Sequence, residues 1–322
     1  MSDNFLFLTS IARTISNLAF LSSSLLGIIL IFLTLFGVRK IFETYKYLMI
    51  AFTFFGISFT CLDALFHPKL HFYNSGCVFF ALSCPFGLSL EIIQAMLAFY
   101  ASFYCLTISM LTIQFIYRYW ALFSIRYLKY FRGWKSVVWV ACCLLFGASW
   151  WMLVFFLLKM DAIARNYFKD EIMLRYNAII DEIPAKTSLP FDPNNGNLRK
   201  WDALYTLLTT LSTVLQYMIM IYCGWKMYTK MEEKVALLSD SLKNHHRQLF
   251  KTLVLQISCP TIFLFSPIML SIYLPYCQMK ISFPADVFFT AYNIYPAMDS
   301  TIVFLTITEY RFAAKRWCSK TD

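Results

Sequence analysis

Seven stretches of the chain are almost free of charge: Leu18 to Val38, Tyr47 to Phe66, Ile92 to Tyr117, Ser136 to Leu158, Ala203 to Trp225, Thr252 to Leu274 and Val287 to Thr308. Only Asp63 and Asp299 interrupt them. The hydrocarbon layer of a bilayer is about 30 Å thick and a helix rises about 1.5 Å per residue, so each stretch has the length of one crossing. Backbone polar groups in hydrocarbon must bond within their own segment, which makes the crossings helices. The fold class is therefore all-α, a seven-transmembrane helix bundle forming a single domain over residues 1–322, with 309–322 as a short cytoplasmic tail. Composition agrees: 59% hydrophobic against 14% charged residues leaves too little polar surface to cover a water-soluble globule.

One further segment, Phe72 to Leu90, is uncharged and long enough to span. Asn74, Ser75, Gly76, Pro85 and Gly87 break its apolar pattern, so it reads as a loop resting on the bundle. A crossing there would also put the basic linkers Arg39 to Lys46 and Arg118 to Lys135 on opposite sides, against the positive-inside rule. With seven crossings, 18 of the 28 lysines and arginines fall on one side. Most of the remainder lies in the long loop from Lys159 to Asp202, where acidic residues offset it and where the rule has little weight. The heavily basic side is thus expected to be cytoplasmic and the amino terminus extracellular.

The formal charge of +10 does not indicate nucleic-acid binding, because the basic residues sit in short clusters between apolar runs. An anionic lipid surface or an acidic partner suits that face. Enzyme chemistry has little support, and no cofactor or metal is expected. Only four histidines are present. His67 and His71 have helical ligand spacing, but Pro68 intervenes and no H-E-x-x-H motif surrounds them, so a packing or solvated role is favoured. Cysteines are scattered singly apart from Cys142 and Cys143. The long loop has none, which leaves a Cys77 to Cys84 bridge as a candidate without fixing connectivity.

An ionisable group inside a span marks a functional hypothesis. Asp299 lies deepest, beside Pro296, and is read as part of a polar knot in a conformational switch, with a conduction role as the rival. Pro260 and Pro267 in the sixth span and Pro296 in the seventh remove backbone bonds and favour bends. The extracellular halves of the spans are aromatic and sparsely polar, which suits a small, mostly apolar ligand. Candidate contacts are Asp63, Glu91, Gln94, Tyr100, Phe103, Tyr104, Tyr205, Thr209, Tyr273, Phe288, Phe289 and Tyr292. At the inner end, Tyr117, Arg118 and Tyr119 close the third span, where a guanidinium can pair with neighbouring helix ends or a docked partner. The linker from Lys226 to Lys251 is expected to extend the fifth and sixth helices. The tail sets Phe312, Trp317 and Cys318 beside Arg311, Lys315 and Arg316, the pattern of a surface-lying helix with Cys318 as a palmitoylation candidate.

Three stretches carry a family likeness: Phe115-Ile-Tyr-Arg-Tyr-Trp120, Gln248-Leu-Phe-Lys-Thr-Leu-Val-Leu-Gln256 with Pro260, and Tyr295-Pro-Ala-Met-Asp-Ser300 through Tyr310-Arg311. With them the chain resembles the nematode seven-transmembrane chemosensory receptors of the Str superfamily, in the Str or Srj class. Ser300 departs from the pattern, since many members have proline after the aspartate. The resemblance implies a G-protein-coupled-receptor-like bundle and an odorant or other small-molecule cue receptor in the cell membrane, at the cilium of chemosensory neurons. It also implies signalling to a heterotrimeric G protein, with Tyr117, Arg118, Tyr119, Lys251, Pro260, Pro267, Pro296, Asp299, Tyr310 and Arg311 as switch or coupling residues. The rival reading is a ligand-gated cation channel of the seven-span chemoreceptor type.

Overall fold

A computed structural model of the chain describes residues 2–37, 43–82, 84–236, 255, 257–306 and 308–321. Its helices are α1 (Ser2–Phe32), α2 (Glu43–Phe66), α3 (Leu90–Phe123), α4 (Val137–Leu157), α5 (Ala162–Tyr176), α6 (Lys200–Ala236), α7 (Ser266–Tyr273), α8 (Asp286–Thr306) and α9 (Thr308–Thr321). Six segments have the length and apolarity to cross a bilayer: Phe7–Gly37, Tyr45–Phe66, Leu90–Phe123, Gly133–Leu157, Lys200–Lys230 and Ile257–Cys277. The seventh, α8, has 21 residues but is less apolar, because Asn293 and Asp299 lie within it. It packs along α1.

Side chains on the helix surfaces point outward as they would in lipid. Leu18, Leu21, Leu25 and Ile28 on α1, Val137, Leu144 and Leu145 on α4, and Leu207, Leu211 and Leu215 on α6 are all exposed. The centre of the bundle is α3, with 78% of its apolar window buried against 22–39% for the other five. Ser89 caps it by accepting a bond from the Ile92 N–H at 3.4 Å. Without a hydrophobic drive between helices in lipid, close approach at small residues sets the packing. A Cβ on Gly147 of α4 would lie 2.7 Å from Leu106 Cγ of α3, and one on Gly56 of α2 would lie 2.9 Å from Pro296 Cβ of α8.

Two departures from the sequence expectation matter for function. First, α1 begins at Ser2, well before Leu18. Polar residues such as Arg13 and Thr14 dilute the apolar signal there, while the backbone continues as helix against α8 and the loops beside it. Second, the segment from Phe72 to Leu90 does not cross, yet it is not only loop. Strands β1 (Lys69–Tyr73) and β2 (Gly76–Phe80) form a hairpin, turning at Asn74 with φ 48°. Asn tolerates that left-handed conformation better than most residues.

The hairpin is the middle of a four-stranded antiparallel sheet in the order β3-β2-β1-β4, completed by β3 (Ala185–Ser188) and β4 (Ser282–Pro284). Successive strand residues face opposite sides, so the sheet has two distinct faces. Val78 and Phe80 pack with Ala164, Phe168 and Ile172 of α5. Leu70, Phe72 and Cys77 pack with Ala285 and face the bundle. The sheet therefore lies between α5 and one end of the helices.

His71 on the α5 side is fully buried. Its Nε2 lies 3.4 Å from Glu171 Oε1, and its ring meets Tyr176 edge-on. Burial, more than the opposing pull of Glu171, pushes its pKa down to about 4, so the ring is neutral at neutral pH. That is a packing role, on a strand rather than a helix, so the helical spacing to His67 does not apply. Burial works against the Glu171 carboxylate, but Ser282 Oγ at 2.5 Å and Arg175 Nε at 2.8 Å hold its pKa below the ordinary value.

Candidate functional site

Beneath the sheet the helices leave a cavity of ≈ 80 Å³. Phe59, Tyr100, Tyr104, Trp150, Tyr205, Phe289 and Tyr292 form its aromatic wall, and Leu70, Cys77, Phe79, Lys186 and Ser188 of the sheet form its roof. Lys186 is there because β3 alternates, turning Lys186 and Ser188 toward the bundle. Its Nζ donates to the Phe155 carbonyl at 2.9 Å and lies 4.4 Å from the Phe155 ring centroid. Burial, helped by Lys159, lowers its pKa to about 8. The Tyr292 hydroxyl is buried at the cavity with Ser271 beside it.

Of the expected ligand contacts, Tyr100, Tyr104, Tyr205, Phe289 and Tyr292 line this cavity. Asp63 lies just outside it, accepting a bond from the Tyr100 hydroxyl at 2.9 Å. The others are placed elsewhere. Glu91 is exposed in the first turn of α3 and Gln94 is half-buried one turn on. Phe103 belongs to the central core against Phe99 and Phe55. Thr209 bonds back to the Tyr205 carbonyl of its own helix at 2.7 Å, and Tyr273 meets Thr210 on the helix surface. Phe288 packs edge-on to Phe72 beneath the sheet. The Cys77 to Cys84 bridge is also corrected: both thiols are free. Strand pairing buries Cys77 at the cavity roof, where desolvation pushes its pKa up to about 12, whereas Cys84 is exposed beyond the strand.

Tyr104 links the cavity to the sixth span. Its hydroxyl donates at 3.2 Å to the carbonyl of Leu264, which lies in a π-helical turn, Thr261–Phe265, between Pro260 and Pro267. Proline cannot supply the N–H of a regular helical bond, and a π turn accommodates the resulting mismatch. Ser266 Oγ donates to the Thr261 carbonyl at 2.7 Å, and Tyr217 of α6 bonds Thr261 and stacks on Phe265 with centroids 4.2 Å apart. The bend expected at these prolines is thus a bulge held by side chains from α3 and α6.

At the end of the bundle opposite the sheet, Arg118 Nε donates to the Tyr45 hydroxyl at 3.0 Å, and Nη2 bonds the same oxygen. Tyr117 stacks on Tyr45 and meets Phe131 edge-on, while Tyr119 contacts Phe123 and Tyr222 of α6. Tyr310 is buried, shares a 2.9 Å hydrogen bond with Thr34 and seats α9 against the end of the first span. Arg311 is exposed. Lys251 and the side chain of Cys318 lie outside the described residues. Asp299 lines a cavity of ≈ 10 Å³ with Ser23, Phe52, Thr53, Pro296 and Ser300, the room of about one water molecule.

The arrangement of a seven-helix bundle, a capped cavity at one end and an arginine set among tyrosines at the other is matched in sequence. The family model of the serpentine type 7TM GPCR chemoreceptor Str aligns with residues 12–315. The chain belongs to this family. Among Str relatives, the G-protein coupled receptor str-33 of Caenorhabditis elegans is 32% identical over 95% of this chain and 90% of its own length. The serpentine receptor class r-10 of the same organism is 25% identical over 83% of this chain and 79% of its own, and the G-protein coupled receptor str-217 is 24% identical over 94% and 88%. The Str chain is therefore a multi-pass membrane protein and a chemosensory receptor. Among its described residues no group of three or more histidine, cysteine or acidic side chains is placed to hold a metal.

Lys186, Tyr45 and Gln216 are functional candidates of this Str bundle that sequence reading passed over. Gln216 of α6 accepts from Ser109 Oγ at 3.1 Å and ties α3 to α6 in the core. Lys186 had no usable signal, because Lys186, Thr187 and Ser188 are polar in succession and give no period-2 pattern. Tyr45 had none, because its role depends on which helix ends meet.

Proposed function

We propose that this Str receptor binds a small, mostly apolar cue in the cavity under the sheet and passes the signal to a heterotrimeric G protein at the Arg118 end. In this reading the amino terminus and the sheet lie outside the cell. The tail lies in the cytosol, and the membrane is that of a sensory-neuron cilium. The observation that carries the reading is the Tyr104 bond to the Leu264 carbonyl. One residue lines the cue cavity and also holds the π turn of the sixth span, so a ligand that moves Tyr104 biases that turn. Burial against the aromatic wall supplies affinity, and the Tyr292 hydroxyl and Lys186 orient the cue. The basic end is expected to attract anionic lipid and the acidic surface of a partner.

A screen of volatile and soluble cues on cells expressing the receptor with a generic G-protein reporter tests this directly. A cue response that survives Tyr104→Phe and Arg118→Ala unchanged would refute the coupling route. Epitope tags at the two termini test the orientation; tags accessible on the same face would refute it. Ligand-dependent current from purified protein in a bilayer free of G protein would overturn the proposal in favour of a channel.

A further inference from the structure

Beside that cavity, residues of α1, α2 and α8 line a second pocket of ≈ 280 Å³ at the sheet end, and its lining carries charged side chains of both signs. Its charged lining consists of Arg13, Asp63, Lys69 and Asp286, with His67 among its other residues. Lys69 Nζ and Asp286 Oδ2 are paired at 3.5 Å and Asp286 also accepts from the Leu70 N–H at 3.1 Å, so these two charges satisfy each other. Burial, then Arg13 and Lys69, lower the pKa of His67, which leaves it neutral at neutral pH. One charge of each sign remains without an ionic partner among the described residues: the Asp63 carboxylate and the Arg13 guanidinium.

Asp63 is 4% exposed, and among the described residues its hydrogen-bond partners are neutral, the Tyr100 hydroxyl at 2.9 Å with Ser16 and Asn293 beside it. Asn293 donates through Nδ2 to Ser16 Oγ at 3.0 Å, and its Oδ1 is fully buried without a donor among the described residues. One acceptor beside Asp63 is therefore open to a further donor. A carboxylate held out of water without a cation is costly, typically by several kcal/mol, and a bound cation offsets that cost. An ammonium group brings both the charge and three N–H donors. Arg13, on the exposed side of α1, offers a planar fork suited to a carboxylate.

We propose that this pocket is a second ligand site, for a small zwitterion of the amino-acid class. Its ammonium sits on Asp63 near Asn293, and its carboxylate on Arg13. The volume is just below the 300–1,000 Å³ of pockets that hold drug-sized molecules, so the solute has few heavy atoms. Because Asp63 also accepts from Tyr100, which lines the apolar cavity, occupancy here shifts the wall of the cue site. The inference rests on the reading that the sheet end faces outside, where such solutes arrive.

The test is calorimetric titration of the purified full-length receptor in nanodiscs with L-alanine, and with ethylamine and propionate as probes of one charge each. L-alanine is expected to bind, and to bind at least about tenfold more weakly to Asp63→Asn and to Arg13→Gln. Ethylamine should be sensitive to Asp63 alone and propionate to Arg13 alone. No binding of L-alanine to the wild type, or binding unchanged in both variants, overturns the proposal. Ethylamine matching L-alanine with no effect of Arg13→Gln also overturns it, in favour of a plain amine site. Should Asp63→Asn fail to fold, Arg13→Gln at an exposed position still decides. Failure of these titrations while other cues still drive the G-protein reporter defeats this site and leaves the receptor reading intact.

Discussion

Arg118 at the end of α3 and Tyr45 at the start of α2 are joined through a single phenolic oxygen, which accepts from Nε at 3.0 Å. The bond holds the closing turns of the most buried helix to its neighbour, at the end proposed for partner docking. Arg118→Ala is expected to abolish cue-evoked G-protein activation with surface expression retained. Tyr45→Phe should raise activity without cue, because it removes the phenolic oxygen that ties the guanidinium to α2 while keeping the ring that stacks on Tyr117. Reporter activity normalised to surface label measures both, and a Tyr45→Phe receptor as silent as wild type would count against a latch.

Filling the cavity under the sheet should separate ligand response from fold. Ala101 and Ser271 both line it, and Ala101→Leu or Ser271→Leu adds apolar volume where ≈ 80 Å³ is empty. The expected result is a cue response weakened at least about tenfold with thermal stability unchanged or raised by about 1 kcal/mol, since filled cavities stabilise. Dose–response curves and detergent melting temperatures test this together.

Helix packing in lipid depends on glycine at close crossings. Gly147→Leu would drive a side chain into Leu106 of α3, with the first added carbon already 2.7 Å from its Cγ. Overpacking of this kind costs about 1–3 kcal/mol. A lower melting temperature and reduced surface expression are expected, with Gly147→Ala intermediate.

The α5 cover over the sheet should loosen in acid. His71 has its folded pKa lowered to about 4 from an ordinary value near 6.5, so its contribution is intact above pH 6.5 and is lost as pH falls toward 4. The Glu171 carboxylate, held below its ordinary pKa, acts with the same sign lower in the range. Hydrogen-exchange protection factors in β1 and α5, taken relative to the intrinsic exchange rate at each pH, should therefore fall between pH 6.5 and 4. His71→Phe should remove the upper part of that dependence; an unchanged profile would show that another group controls it.

Much of the molecule was determined by sequence alone. The apolar stretches specify seven crossings, because hydrocarbon admits only segments that bond their own backbone, and the motifs around Arg118, Pro260 and Asp299 carry the family likeness. Tyr100, Tyr104, Tyr205, Phe289 and Tyr292 were also legible as a group of aromatics in one half of the spans. Only tertiary structure decided which aromatics face a shared cavity, since a helix uniformly apolar around its circumference gives no sign of its inward face. It also decided the sheet. The strands are short, and the hairpin of Lys69–Tyr73 and Gly76–Phe80 is flanked by Ala185–Ser188 and Ser282–Pro284, each more than 100 residues further along the chain. Pairing at that range leaves no local signal, so the roof that brings Lys186 and Cys77 to the cavity, and the pairing of Lys69 with Asp286 that leaves Arg13 and Asp63 unmatched, exist only once the chain is folded.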